Sequence, residues 1–476
     1  MGFGITVYDM LSRLGAYGGA MQRPRTLSAR AVRGIAPGIK PDALVGAVRF
    51  HDAQIDDARH TVAVARTATA YGAAIATRAS AVKLLREDGR VVGVVVRNEK
   101  TGHEFEVRAR VVLGAAGVWT DEILSMAGAH NTAAVRQSKG IHLVVPRAAF
   151  TSNSALIART PTSVLFLLPW GRHWLVGTTD TDYEGSRDEP QVDEADVEYL
   201  LGEANKWLAK PLTREDVIGV YSGLRPLLSS GASQDGTATL SREHAILRPA
   251  PGLVLVAGGK YTTYRVMAAD AVDAVVVSRG ELVIDAVPES RTDELPLVGA
   301  AGYPAAWAAR ERTAREAGLP LSTIEHLLRR HGDRIRTVLD LVANDPKLAE
   351  PIHPEAPYLM AEAVVAVTRE GALGLDDVLV RRTRIALETR NGGVDVAESV
   401  AAVLAPFMGW DEQRVSEEVA RVGTRRDALQ PVPGGQSDQQ EVVAPVDETS
   451  PIDEVEAELL LDGEMPSDLT MGPATP

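Results

Sequence analysis

The sequence contains no cysteine. Disulfides, thiolate nucleophiles and cysteine-held metal sites are therefore excluded, and the composition suits a reducing cytoplasm. No metal site is read from the remaining residues. No apolar run approaches the roughly 20 residues that a membrane-spanning helix needs. Met1-Gly2-Phe3-Gly4 lacks the charged and apolar regions of a signal peptide. Positive charge is missing from the end of the chain, where Asp427 to Pro476 hold twelve Asp or Glu and no Lys or Arg. That stretch also has seven prolines and few aromatics, so residues 425–476 are expected to be a disordered acidic tail. The tail accounts for most of the net charge of −14. The remainder holds 52 acids against 50 bases, so nucleic-acid binding has no electrostatic support. No repeat of solenoid period is present.

What is present is organised around Gly258-Gly259-Lys260-Tyr261-Thr262-Thr263-Tyr264-Arg265. An apolar run, Leu253 to Ala257, leads in, and an amphipathic stretch, Val266 to Val277, leads out. The pattern is a strand, a glycine turn and a helix start. Paired glycines let a ligand approach the backbone, the threonines suit the unpaired N–H groups of a helix start, and such an end attracts anions. An ordinary capped strand–turn–helix joint would use the same residues.

The 476 residues suffice for two or three domains. Met10 to Pro41 is basic, which suits either a solvated connector or contact with an anionic membrane surface. Asp56 and Asp57 open a helix ending near Gly72. Val82–Leu85, Val91–Val96 and Phe105–Val107 are short strands, the first two joined by a hairpin at Asp88-Gly89. Val111 to Leu113 runs into Gly114-Ala115-Ala116-Gly117-Val118-Trp119. A second β-rich region has strands at Ile141–Val145, Val164–Leu168, Trp174–Gly177 and Val217–Ser222, with a helix from N-cap Asp193 to Leu208. This order predicts an antiparallel sheet with helices on one face. Polar residues gather at its strand ends: His142, Thr178-Thr179-Asp180, and Arg225 before Pro226. From Tyr303 to Gly423 the spacing is helical, with a capping box at Ser322-x-x-Glu325 and helices at Ala361–Arg369 and Val378–Leu387. Arg381, Arg382 and Arg384 read as a solvated or salt-bridged helix face.

Taken together, Gly114-Ala-Ala-Gly-Val-Trp119, Lys139-Gly-Ile-His142, Gly177-Thr-Thr-Asp180, Gly223-Leu-Arg-Pro226 and Gly258-Gly-Lys-Tyr-Thr-Thr-Tyr-Arg265 resemble, in this order, the FAD-dependent glycerol-3-phosphate dehydrogenases. The likeness runs from about Val7 to about Val422. It implies a mixed α/β and α+β fold of the amino-acid-oxidase type. An FAD-binding Rossmann-like region (flavin part about 45–130 and 235–280, within 1–300) would be interleaved with an antiparallel-sheet substrate part (about 131–234). A helical domain (301–424) would follow. The implied reaction is oxidation of sn-glycerol 3-phosphate to dihydroxyacetone phosphate, with electrons passing through FAD to quinone, or to oxygen in the oxidase branch, on the cytoplasmic side of the membrane in peripheral contact with it. Gly117, Trp119, Gly258, Gly259, Lys260, Thr262 and Thr263 would border the cofactor.

The residue chemistry agrees. A phosphate dianion calls for fixed cations, for which Arg225, Arg242 and Lys260 are the candidates. A base must take the hydroxyl proton, and His142 suits that task, although a structural histidine at a strand end would look the same. Arg225 could itself polarise the hydroxyl, and Lys260 could stabilise negative charge in the catalytic site. Other classes stay open: a flavin oxidase of an amine or amino acid, whose site would grip a carboxylate with fewer cations, or a non-catalytic interaction protein. The family's G-x-G-x-x-G turn is absent; Gly2-Phe3-Gly4 and Gly15 to Gly19 do not supply it. The flavin region is therefore expected to be incomplete, with apolar faces uncovered and weakened FAD binding.

Overall fold

The computed structural model describes residues 22–129, 134–160, 164–229, 243–279 and 287–429. Residues 425–429, expected to begin the disordered tail, instead continue a helix, and the acidic stretch from residue 430 onward lies outside the described residues. So does Arg242.

The chain begins with strand β1 (Arg25–Ser28), helix α1 (Ala29–Ile35) and strand β2 (Gly46–Arg49), β1 and β2 being antiparallel. Ser28 caps α1 through its hydroxyl, so this part of the basic segment is ordered and not a bare connector. Helix α2 (Asp57–Ala70) starts where the Asp56 carboxylate accepts the Arg59 N–H at 3.1 Å. Strands β3 (Ala79–Glu87), β4 (Arg90–Asn98) and β5 (Glu104–Arg108) form a meander. The β3–β4 turn has φ of 47° at Asp88 and 78° at Gly89. Two successive left-handed residues make the turn that matches strand twist, which is why Asp-Gly signals this hairpin.

Strand β6 (Val112–Gly114) and helix α3 (Thr120–Ala127) follow, joined by a tight turn over Gly117–Trp119. Far along the chain, β6 finds its partner. Strand β14 (Leu253–Gly258) lies between antiparallel β13 (His244–Ala250) and parallel β6. A small aliphatic core of Leu84, Val91, Leu124, Leu253 and Leu255 joins this sheet to the meander. Leu113, Val266, Val272 and Val277 remain exposed.

Between these pieces is the antiparallel sheet that the sequence predicts. Its strands are β7 (Ala134–Pro146), β8 (Leu156–Arg159), β9 (Val164–Trp170), β10 (His173–Gly177), β11 (Thr181–Asp182) and β12 (Gly219–Ser229), with helix α4 (Glu194–Asn205) between the last two. β7 pairs with β12 along one edge and with β10, then β11, along the other. Ile141, Leu143, Val145, Leu165, Leu167, Trp174 and Val176 point to one face, where Val197, Leu200, Leu201 and Ala204 of α4 seal a core. Side chains alternate between faces, so His142 and Arg225 stand on the opposite one. The chain then runs through β13 (His244–Ala250) and β14 (Leu253–Gly258) into helix α5 (Tyr264–Val277).

The helical domain comprises α6 (Tyr303–Ala308), α7 (Arg310–Ala317), α8 (Leu321–His331), α9 (Ile335–Asn344), α10 (Met360–Arg369), α11 (Ile385–Glu388), α12 (Val394–Met408) and α13 (Glu412–Leu429). Its core is aliphatic and continuous, from Ile324 and Val338 through Val364 to Leu404. Two local expectations differ here. Ser322 is not a cap: α8 begins at Leu321 behind extended Pro320, and Glu325 pairs with Arg310 at 2.9 Å instead. Val378–Leu387 is not one helix. A π-helical stretch (Asp377–Arg382) ends at extended Thr383, whose hydroxyl donates to the Val378 carbonyl, and α11 starts afresh. That break separates Arg384 from Arg381 and Arg382. Arg381 pairs with Asp377, and Arg382 donates to the Glu370 carbonyl. Arg384 is neither solvated nor paired on its own helix; it reaches α2.

Candidate functional site

The site face of the antiparallel sheet is cleared by glycine. His142 lies opposite Gly177 on β10 and Tyr221 on β12. A Cβ at Gly177 would stand 2.3 Å from His142 Cδ2, so the ring occupies the room that a side chain there would take. Its other flank stacks on Tyr221, with ring centroids 5.0 Å apart and planes 9° from parallel. Two residues away, a Cβ at Gly140 would stand 2.5 Å from Arg225 Nη2. The guanidinium thus lies over bare backbone. It donates to the Thr178 hydroxyl at 3.1 Å and the Thr179 carbonyl at 3.2 Å, and stands 3.5 Å from Asp180, itself bonded to the Ser138 hydroxyl. Gly223 faces Gly140 across the strands, and a Cβ there would meet nothing within 4 Å. Above Gly223, flanked along β12 by Tyr221 and Arg225, the sheet is open.

Burial and the neighbouring Arg225 charge push the His142 imidazolium down from 6.5 to about 4, against a smaller opposing pull from Asp57. The ring is therefore neutral at physiological pH. Burial likewise pushes the Tyr221 phenol up to about 12, so it stays protonated.

A second cluster forms at the carboxyl ends of β6 and β14. Parallel strands place such ends side by side, the usual position of a ligand crevice. The Gly117–Trp119 turn packs against both β14 and β12. Gly117, Gly258 and Gly259 have φ of 55°, 72° and 92°, a region side chains rarely enter. Beyond Gly259 the backbone forms a short turn, Tyr261–Thr263, before α5. Thr263 does not cap α5 with its hydroxyl, which donates back to the Lys260 carbonyl at 3.0 Å; Thr262 is exposed. The capping role expected of the pair is thus not taken up by Thr263. Lys260 is exposed at the start of the turn. Trp119, Tyr261 and Tyr264 are 39%, 43% and 37% exposed, an unusual display of aromatic surface at one strand end.

These observations place His142 and Arg225 together on one glycine-cleared face. Lys260 and the glycine turns sit at the adjoining strand ends. Tyr221 was not expected from sequence, although alternation along β12 from Arg225 through Gly223 leads to it. Asp57 and Arg384, whose charges reach Tyr221, read from sequence only as a helix start and a helix face.

Comparison with known proteins decides the family. Residues 6–272 match the FAD dependent oxidoreductase family, and residues 290–415 match the C-terminal domain of alpha-glycerophosphate oxidase. The chain is 47% identical over 425 residues to glycerol-3-phosphate dehydrogenase 2 of Mycobacterium tuberculosis, covering 89% of this chain and 71% of that protein. It is 46% identical over the same length and shares to glycerol-3-phosphate dehydrogenase of Mycobacterium leprae. The chain belongs to the FAD-dependent glycerol-3-phosphate dehydrogenase family. Among solved structures it superposes on the glycerol-3-phosphate dehydrogenase of Bacillus halodurans complexed with FAD. The TM-score is 0.72 at 25% identity, covering 86% of this chain and 82% of that one. Membership explains the domain pairing, an FAD-dependent oxidoreductase fold followed by a helical domain.

The residues present fit one end of an FAD molecule. Bare backbone at Gly117 and exposed rings at Trp119, Tyr261 and Tyr264 offer flat apolar surface at the crevice. At Gly259 the φ of 92° strains any side chain, and a Cβ would fall 2.4 Å from Met267 Cε, which would have to move. The pyrophosphate fingerprint is absent from the sequence. Among the described residues no group of His, Asp and Glu is arranged to hold a metal ion.

Proposed function

We propose that this chain oxidises sn-glycerol 3-phosphate to dihydroxyacetone phosphate. Gly117, Trp119, Gly258, Gly259, Thr262 and Thr263, at the ends of β6 and β14, would hold FAD, which would supply the hydride acceptor. The single observation that carries the reading is a neutral imidazole and a partly exposed guanidinium sharing one cleared face, with open space at Gly223. Arg225, with Arg242 and Lys260, holds the phosphate dianion, the arginines by paired charge-assisted hydrogen bonds. His142 accepts the proton of the C2 hydroxyl. Its low basicity at rest is partly the work of Arg225. A dianion on Arg225 cancels that positive field, so substrate makes the imidazole a better base when a base is needed.

The acceptor after FAD is a membrane quinone on this reading. Arg25, Arg30, Arg33 and Arg49 on the exposed β1–α1–β2 segment, with Val45 fully exposed beside them, suit contact with an anionic cytoplasmic leaflet. No helix among the described residues is long and apolar enough to cross a membrane. The second reading is a non-catalytic relative working through its helical domain, which has a continuous core of its own.

The test is anaerobic reduction of added FAD by the purified chain. Flavin absorbance should bleach with sn-glycerol 3-phosphate and not with amino acids, and His142→Ala should slow it at least about 100-fold. Bleaching by an amino acid alone would transfer the reading to a carboxylate substrate. Negligible flavin uptake would support the non-catalytic one.

A further inference from the structure

The helical domain reaches the site through buried charge. Arg384, which the break at Thr383 swings off its own helix, donates from Nη2 to Asp56 Oδ1 at 2.5 Å and to Asp57 Oδ1 at 3.2 Å. Its guanidinium carbon stands 5.0 Å from the Trp170 ring centroid on the site sheet. Gly219 makes this approach possible, since a Cβ there would fall 2.3 Å from the Leu387 carbonyl oxygen of α11. Arg59, in the first turn of α2, grips Glu370 with both terminal nitrogens at 2.6 and 2.7 Å and donates to the Arg330 carbonyl at 3.1 Å. The Glu370 side chain is 1% exposed. Two charged clamps, linked by Arg330, whose guanidinium stands 3.8 Å from Asp56 Oδ2, therefore fasten the first turn of α2 to the helical domain.

From that same turn, α2 holds the glycine turn. The Tyr261 hydroxyl shares a hydrogen bond with His60 Nδ1 at 2.7 Å. It also lies 3.2 Å from both the Thr61 hydroxyl and the Asp57 carbonyl. The His60 ring meets Tyr264 edge-on at 4.8 Å, and Tyr261 and Tyr264 stack at 5.9 Å. Lys260 immediately precedes this tyrosine.

We propose that Arg384 and Arg59 are positioning residues: through α2 and Tyr261 the helical domain sets where the Lys260 turn stands. Buried ion pairs contribute little net stability over apolar replacements, because desolvation offsets their attraction, and are best kept for the one geometry they permit. Here that geometry joins segments more than 300 residues apart to a turn in which Gly258 and Gly259 supply no side-chain anchor. Lys260 can meet a phosphate or a cofactor only where Tyr261 places it. This inference rests on the proposed function only for calling the turn part of the site; the physical linkage is testable without any ligand.

Hydrogen exchange of the full-length chain, without substrate or FAD, provides the test. The double variant D56N/R384M removes both charges of the outer clamp and keeps an N-cap at position 56. It should speed exchange at least about fivefold in two peptides, 56–61 and 258–264. Strand β7 and the helical core around 360–368 should keep their protection. Arg384→Lys should restore most of the protection. Tyr261→Phe should open 258–264 alone. Opening of 56–61 with 258–264 unchanged would overturn the proposal by ending the linkage at α2. Opening of 258–264 no greater than that of β7 would also overturn it, by reducing the clamp to general stability. If D56N/R384M does not fold, Arg59→Lys and Tyr261→Phe decide the same question. A positive exchange result with no oxidation of glycerol 3-phosphate would leave the brace standing and remove the substrate.

Discussion

Three glycines on one sheet face make separable demands, and replacing each with alanine tests the site as built. At Gly177 the new methyl would stand 2.3 Å from His142 Cδ2, 2.7 Å from Cγ and 2.8 Å from Nε2. The ring cannot swing aside freely, because Tyr221 stacks against its other flank. Overpacking of this kind costs about 1–3 kcal/mol, and it tilts the base. At Gly140 the methyl meets only the far end of Arg225, at 2.5 to 2.8 Å. A guanidinium can move, so stability should change by less than about 1 kcal/mol while the anion grip is lost. At Gly223 nothing lies within 4 Å. Alanine there relieves the entropic cost of glycine in a strand and should be neutral or stabilising by about 0.5 kcal/mol, yet it places a methyl in the bay. Gly223→Val fills the bay further. Urea unfolding should rank the losses Gly177→Ala first, Gly140→Ala second and Gly223→Ala last. Calorimetric titration with sn-glycerol 3-phosphate should place Gly223→Val and Gly140→Ala at least about tenfold weaker than the parent, or about 1.4 kcal/mol. Undiminished affinity in Gly223→Val would mean that substrate does not sit on this face, however well the family is assigned.

Two titrations provide further checks. His142, depressed from 6.5 to about 4, contributes stability that is complete above pH 6.5 and lost as pH falls from there to 4, about 3 kcal/mol in all. Histidine ring NMR should find His142 and His173, the latter also lowered to about 4 by burial and Arg172, still neutral at pH 5.5; a His142 resonance titrating near 6.5 would refute the buried placement. Glu388 is pushed the other way, up to about 7, by burial. It accepts a hydrogen bond from the Tyr358 hydroxyl at 3.1 Å. Its contribution is complete below pH 4.5 and lost as pH rises to 7, again about 3 kcal/mol at most, so Glu388→Gln should melt higher than the parent at pH 8 and not at pH 5. Arg225→Ala should raise the Michaelis constant for glycerol 3-phosphate about 10- to 100-fold, the range for losing a charge-assisted hydrogen bond. Unchanged kinetics would remove its phosphate role.

The sequence by itself determined whatever depends on near neighbours. The Asp88-Gly89 hairpin, the Asp56 and Asp193 helix starts, the alternation along β7 and the aliphatic helical domain all follow from backbone preference and periodicity over a few residues. The glycine motifs were visible too, because a glycine at a strand end stands out whatever surrounds it. What each glycine makes room for was not visible, since the His142 ring and the Arg225 guanidinium arrive from other strands. Only tertiary structure settled the fate of Ser322, where Arg310 claims Glu325, and of Arg384, which one break at Thr383 redirects from its own helix face to Asp56. Tyr221 illustrates the boundary: alternation puts it on the face of Arg225, but its stacking on His142 is a fact about two strands. Pairing of charges more than 300 residues apart has no local signature, because the attraction exists only after burial has brought the partners together and removed the water between them.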